Sequence, residues 1–146
     1  MKHNYFYKDV LTVTDSGTVV NLMFITGSVE IDAKAMVYSN EDFTLEILEA
    51  VTATGGTPLT VFACNRNDTR TPLLTLYSAP TITDDGTKIW EARTFASKNT
   101  TGVSALNYTI ETKPSTKYVW RITKNSAGTH FVDADFYWSE INPNAI

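Results

Sequence analysis

Apolar side chains recur at every second residue along most of this chain, and over no convincing length do they take up the three-and-four spacing of a helix. "FTLEILEA" sets Phe43, Leu45 and Ile47 against Thr44, Glu46 and Leu48, and "TKYVWRIT" sets Tyr118, Trp120 and Ile122 against Val119, Arg121 and Thr123. "HFVDADFYWSE" sets Val132, Ala134, Phe136 and Trp138 against Phe131, Asp133, Asp135 and Tyr137. In this last segment energy picks the buried side. Each large apolar group gains ~1.5–3 kcal/mol on burial, whereas an unpaired buried aspartate costs several kcal/mol. Asp133 and Asp135 therefore face outward.

Turn signals separate these runs at short intervals: "TGGTP" (54–58), "SAP" (78–80), "DDG" (84–86), "KPS" (113–115) and "NSAG" (125–128). Asp85-Gly86 suits a tight hairpin, since glycine accepts positive φ. Pro72 and Pro80 bracket "LLTLYSA" and confine that strand to a sheet edge or a short span. About nine or ten short strands are predicted, too many for one open sheet of a 146-residue chain. The expected fold is all-β: an antiparallel two-sheet β-sandwich, jelly-roll-like, in a single domain over 1–146. Residues 1–10 are either an extended arm or an ordinary first strand.

Composition narrows the function classes. Hydrophobic residues at 42% and charged ones at 19% are a globular balance, so a core can form without staples. The formal net charge of −4 offers no footprint for nucleic acid. The longest apolar run, "VVNLMFI", is too short to cross a bilayer, so no membrane partner is expected. One cysteine permits no internal disulfide, and "MKHNYFYKDV" lacks the apolar core of a signal peptide, so synthesis in a reducing cytoplasm is expected.

Chemistry-bearing residues are sparse. Cys64 stands beside Arg66, Asp68 and Arg70, but the two histidines, His3 and His130, are distant in sequence, and a small, half-buried apolar cysteine at a strand end is the simpler reading. Two histidines are too few for a histidine-based metal site, and Asp84-Asp85-Gly86 lacks the rest of a calcium loop. No metal, cofactor or catalytic residue is expected, and the chain reads as a non-enzyme. Arg66 and Arg70, on a polar connector, are candidate protein contacts, as are the aromatic anchors Tyr5, Phe6 and Tyr7. The aromatic content of 12% also leaves open a sugar-binding platform, with Tyr5, Phe6, Tyr7, Tyr137 and the tryptophans as its candidates.

The ordered motifs Leu45-Glu46, Gly55 to Pro58, Asn65 to Asn67, Pro80 to Gly86, Lys113 to Tyr118, Arg121 to Thr123 and Trp138 to Glu140 lie within a span from Phe43 to Ile141, roughly two-thirds of the chain. This set resembles a family of small virion proteins of tailed bacteriophages, the capsid decoration or cement proteins. The resemblance implies a β-sandwich that binds the outer surface of the phage head, with the major capsid protein as partner and a virion location. Repeated sites on an icosahedral shell favour a homotrimer, with a dimer next. The alternative is a carbohydrate-binding module or a virion-displayed host-adhesion protein.

Overall fold

The structure, a computed structural model, describes residues 2–14, 17–39, 41–93 and 104–141. Its strands are β1 (Lys2–Val13), β2 (Val19–Ile25), β3 (Ile31–Ser39), β4 (Phe43–Glu49), β5 (Thr52–Thr54), β6 (Thr57–Pro58) and β7 (Phe62–Ala63). There follow β8 (Thr75–Ser78), β9 (Thr81–Asp84), β10 (Thr87–Arg93), β11 (Ser104–Glu111), β12 (Lys117–Lys124) and β13 (His130–Ile141). The first sheet runs β11-β3-β13-β1-β7 and the second β10-β4-β12-β2-β8-β6; β5 and β9 form a separate pair.

The eight long strands pair from the outside of the chain inward: β1 with β13, β2 with β12, β3 with β11 and β4 with β10, all antiparallel. That nesting is a single ribbon rolled into a sandwich, the jelly roll. Alternation does the sorting. Val132, Ala134, Phe136 and Trp138 of β13, Phe43, Leu45 and Ile47 of β4, and Tyr118, Trp120 and Ile122 of β12 all lie in the core between the sheets. The centre is aromatic, with Phe24 stacked on Tyr118 at 5.0 Å between ring centroids and tilted against Phe136 at 4.7 Å. Such pairs add ~0.5–1.5 kcal/mol to the gain from burial itself.

Between β4 and β10 the chain makes an excursion that the sequence does not announce. β4, β5 and β6 run as one strand, and β8, β9 and β10 run back beside it, so that Glu49 faces Thr87, Thr52 faces Asp84 and Thr57 faces Ser78. This second ribbon kinks twice. At one kink Ala50 (φ 58°) lies against Gly86 (φ 63°), and at the other Gly55 (φ 70°) and Gly56 (φ 96°) lie near Ala79 (φ 50°). Asp85-Gly86 is thus a bend within a continuing strand and not the closure of a hairpin. A Cβ at Gly86 would sit 2.2 Å from the Glu49 carbonyl oxygen, so only glycine lets the two backbones approach there. The ribbon arches over the outer face of the second sheet and then joins its far edge, where β8 pairs with β2.

Residues 2–10 are not a free arm. From Lys2 onward they are part of β1, which pairs with β13 from Lys2↔Ile141 to Val13↔His130, and β7 adds to its other side at Tyr5 and Phe6. Tyr5 and Tyr7 point inward, so burial of two rings holds the segment down. The β10 phase also differs from a simple alternation. The register slips between Lys88 and Trp90, and both Ile89 and Trp90 pack against the core.

Candidate protein-contact surface

The two sheets present different outer faces. On the second sheet the outward residues Met23, Leu48 and Val119 are buried, because Val51 and Ala53 of the arching ribbon lie over them and Ile25, Tyr77 and Ile82 complete a second small core. Backbone and side chain pin the arch. Val51 N–H donates to the Lys117 carbonyl (3.1 Å), Lys117 Nζ donates to the Ala53 carbonyl (2.7 Å), and Arg121 donates twice to Asp85 (2.8 and 3.1 Å). On the first sheet the described residues include no such cover.

That bare face carries an aromatic row. The register places Lys34 of β3, Tyr137 of β13, Phe6 of β1 and Phe62 of β7 side by side across four strands. Each lies on the outward phase, between inward neighbours such as Ala33 and Ala35, Phe136 and Trp138, or Tyr5 and Tyr7. The rings of Phe6 and Phe62 are 5.9 Å apart and inclined at 36°, and the Arg66 guanidinium lies 4.9 Å from the Phe62 ring centre. The next row places Met36, Asp135 and Lys8 together. Phe6, Lys8, Lys34, Met36, Asp135 and Tyr137, with Cys64 at one end, line a groove of about 360 Å³. Lys8 and Lys34 make no ion pair among the described residues. Farther along the same face Val10 and Phe131 are 53% and 63% exposed.

Of the five residues expected as contacts, Phe6 and Arg66 meet on this face. Tyr5 and Tyr7 do not, because they fill the core. Tyr5 stacks on Trp138 at 5.6 Å, and Tyr7 donates to Asp9 (3.2 Å) with its phenol pushed up to about 12 by burial and by the neighbouring carboxylate. Arg70 lies elsewhere, at the edge where the segment 64–74 crosses from β7 to β8. Tyr137, a candidate for the sugar platform, completes the patch with Phe62, Lys34 and Lys8, which had not been singled out. Tyr137 was legible on the outward phase of its strand; Phe62 and the lysines became visible only through register.

The crossing segment is held by buried polar groups. Glu140, 3% exposed, accepts from Leu73 N–H (2.9 Å), Leu74 N–H (2.8 Å) and the Trp138 indole N–H (3.0 Å). Its cross-strand neighbour His3 is also buried. His3 Nδ1 lies 3.0 Å from Asp68 Oδ2 and Arg70 Nη1 meets His3 Nε2, so with Nδ1–H donating to the carboxylate the imidazole accepts from the guanidinium. The Arg70 backbone N–H donates to Asp68 Oδ1 (3.0 Å) and, with His3, holds the Asp68 carboxyl below the usual carboxylate range.

A polar cavity of about 350 Å³ opens here, lined by His3, Asn4, Asn65, Asn67, Asp68 and Arg70 with Cys64 at its rim. It resembles a catalytic constellation only in composition. Both imidazole nitrogens are engaged, by Asp68 and Arg70, and among the described residues no hydrogen bond joins the ring to Cys64. Cys64 is exposed, not half-buried as its sequence context suggested, yet partial desolvation of its sulfur pushes the thiol pKa up, away from the reactive thiolate. Among the described residues no group of three or more His, Cys, Asp or Glu could hold a metal ion.

No protein-family profile matches the chain, and no curated protein matches it. Among solved structures, "Structure of infectious bursal disease virus Gx strain" is 12% identical, over 98% of this chain and 41% of that one, at a TM-score of 0.20. A likeness of that degree carries no argument. The fold rests on its own strand order.

Proposed function

We propose that this chain is a non-enzymatic structural protein of a phage virion that binds the outer surface of the capsid and stabilises it. The observation that carries the reading is the bare outer face of the first sheet. There an aromatic row with flanking cations lies uncovered, while the equivalent apolar residues of the second sheet are buried under the chain's own ribbon. Exposed aromatics with arginine beside them are the composition of interface centres. The motif resemblance to tailed-phage decoration proteins supplies the class of partner, the major capsid protein.

The mechanism is mass action. A ligand that binds the assembled lattice and not its separated subunits stabilises the lattice by RT ln(1 + [L]/Kd), about 2.7 kcal/mol at a hundredfold excess over Kd. Repeated lattice sites suit a homotrimer, then a dimer. Electron cryomicroscopy of the source virion tests the proposal: density for this jelly roll on the outside of the head is expected, with the first sheet toward the shell. Density confined to the tail, or none, overturns it.

A further inference from the structure

Building on that surface-binding reading, we propose that the row from Lys34 to Phe62 takes an extended, acidic and apolar segment of a shell protein. Length comes first. Four strands at ~4.8 Å spacing give the row a span of about 14 Å, which about four extended residues at ~3.3 Å each would cover. The floor suits apolar side chains: Phe6 and Tyr137 are half-buried rings, and Met36 offers an adaptable thioether beside them.

Charge selects the rest. Lys34 stands at one end of the row, Arg66 over Phe62 at the other, and Lys8 between them in the adjacent row, against the single carboxylate of Asp135. In the groove and at its ends three cations stand to one acid, with Asp32 and Asp133 farther out in rows on either side, in a chain whose formal net charge is −4. A basic segment would meet like charge at both ends of the row. A second copy on a two-fold axis in the plane of this face would set Lys34 against Lys34 where the axis runs along the row, or against Arg66 where it crosses the row, so cation meets cation either way. A sugar ring needs a flat platform, and the 36° inclination between Phe6 and Phe62 does not provide one. An acidic, apolar strand satisfies floor and rim together.

The test uses heads of the source phage stripped of this protein, incubated with the full chain and sedimented across a salt series. Wild type is expected to co-sediment, with affinity falling at least tenfold between 50 and 300 mM salt, because rim charges act through screened attraction. The double reversal K8E/K34E is expected to lose at least thirtyfold at low salt, and F62A about tenfold. K88E, a single charge reversal on the second sheet, is expected to bind like wild type. Melting curves of every variant verify folding, and the wild-type salt series needs no variant at all.

If wild type co-sediments but K8E/K34E binds equally well, or binding is flat across salt, the acidic-segment inference is overturned while the surface-binding reading stands. If wild type fails to co-sediment at any salt, that reading falls and takes the inference with it. Competition by free oligosaccharide for the heads would overturn the inference in favour of a sugar site.

Discussion

The two outer faces of this sandwich solve one problem in different ways. Both sheets have apolar side chains on the side away from the core. Over the second sheet the chain supplies a lid from its own sequence, and Met23, Leu48 and Val119 become nearly as inaccessible as the central core. Over the first sheet Phe62, Val10 and Phe131 stay exposed. The excursion between β4 and β10 could have been spent on either face. Covering one and leaving the other teaches that exposed apolar residues in a sheet are informative only when compared with what the same molecule hides elsewhere.

Substitutions should separate the two faces sharply, and the largest effect belongs to the covered one. Val119→Asp buries an unpaired carboxylate against Met23 and Leu48, and about 4 kcal/mol or more of stability should be lost in urea denaturation. A loss under 1 kcal/mol would mean that the ribbon does not seal the face. Gly86→Val comes next, at about 3 kcal/mol, since it forces a β-branched residue into positive φ and drives its Cβ at the Glu49 and Ala50 carbonyls. With the second sheet alone disturbed, the proposed binding to phage heads should be unchanged below the melting temperature.

Acid should then loosen the lid before the rest. Asp85 and Glu49 are held below the usual carboxylate range, the first by the hydrogen bonds from Arg121 and the second by those from Lys113 and Tyr118. A depressed folded pKa contributes stability above the unfolded value of about 4 and loses it as pH falls through the folded value. Protection of the β5 and β9 amides from hydrogen exchange should therefore drop below about pH 4, while the β1–β13 amides hold. Tyr118 acts at the other extreme. Burial and the Glu49 carboxylate push its phenol up to about 12, so its contribution is full below about 10 and fades as pH rises through the folded value.

The smallest change in stability belongs to the bare face. Phe62→Ser should shift unfolding by no more than about 0.5 kcal/mol. A shift above 2 kcal/mol would show Phe62 to be a packing residue and blur the contrast between the faces.

Alternation alone made the central sandwich legible. Phe43, Trp120, Phe136 and Trp138 lie where period two places them, and Asp133 and Asp135 face outward. Leu48 and Val119 are on the phase that alternation assigns to solvent, yet they are buried, because their cover comes from residues close in space through a kinked ribbon and not from their own strand. Local turn chemistry identified Gly86 as a place for positive φ but could not say whether the chain reverses or merely bends; that depends on β4 and β5 running on as one strand. The aromatic triplet Tyr5-Phe6-Tyr7 shows the same limit. Composition marked all three as anchors, and only pairing with β13 reveals that Phe6 alone points out. The hold of Glu140 on Leu73 and Leu74 spans 67 and 66 residues of sequence and left no local trace.

The pairing of β1 with β13 bears on how the protein is made. β13 lies between β1 and β3, so the first sheet has a gap through its middle until β13 has been translated. Contacts that close so long a loop are slow to form. Until then β1 and β3 each present to other strands an edge that β13 later covers.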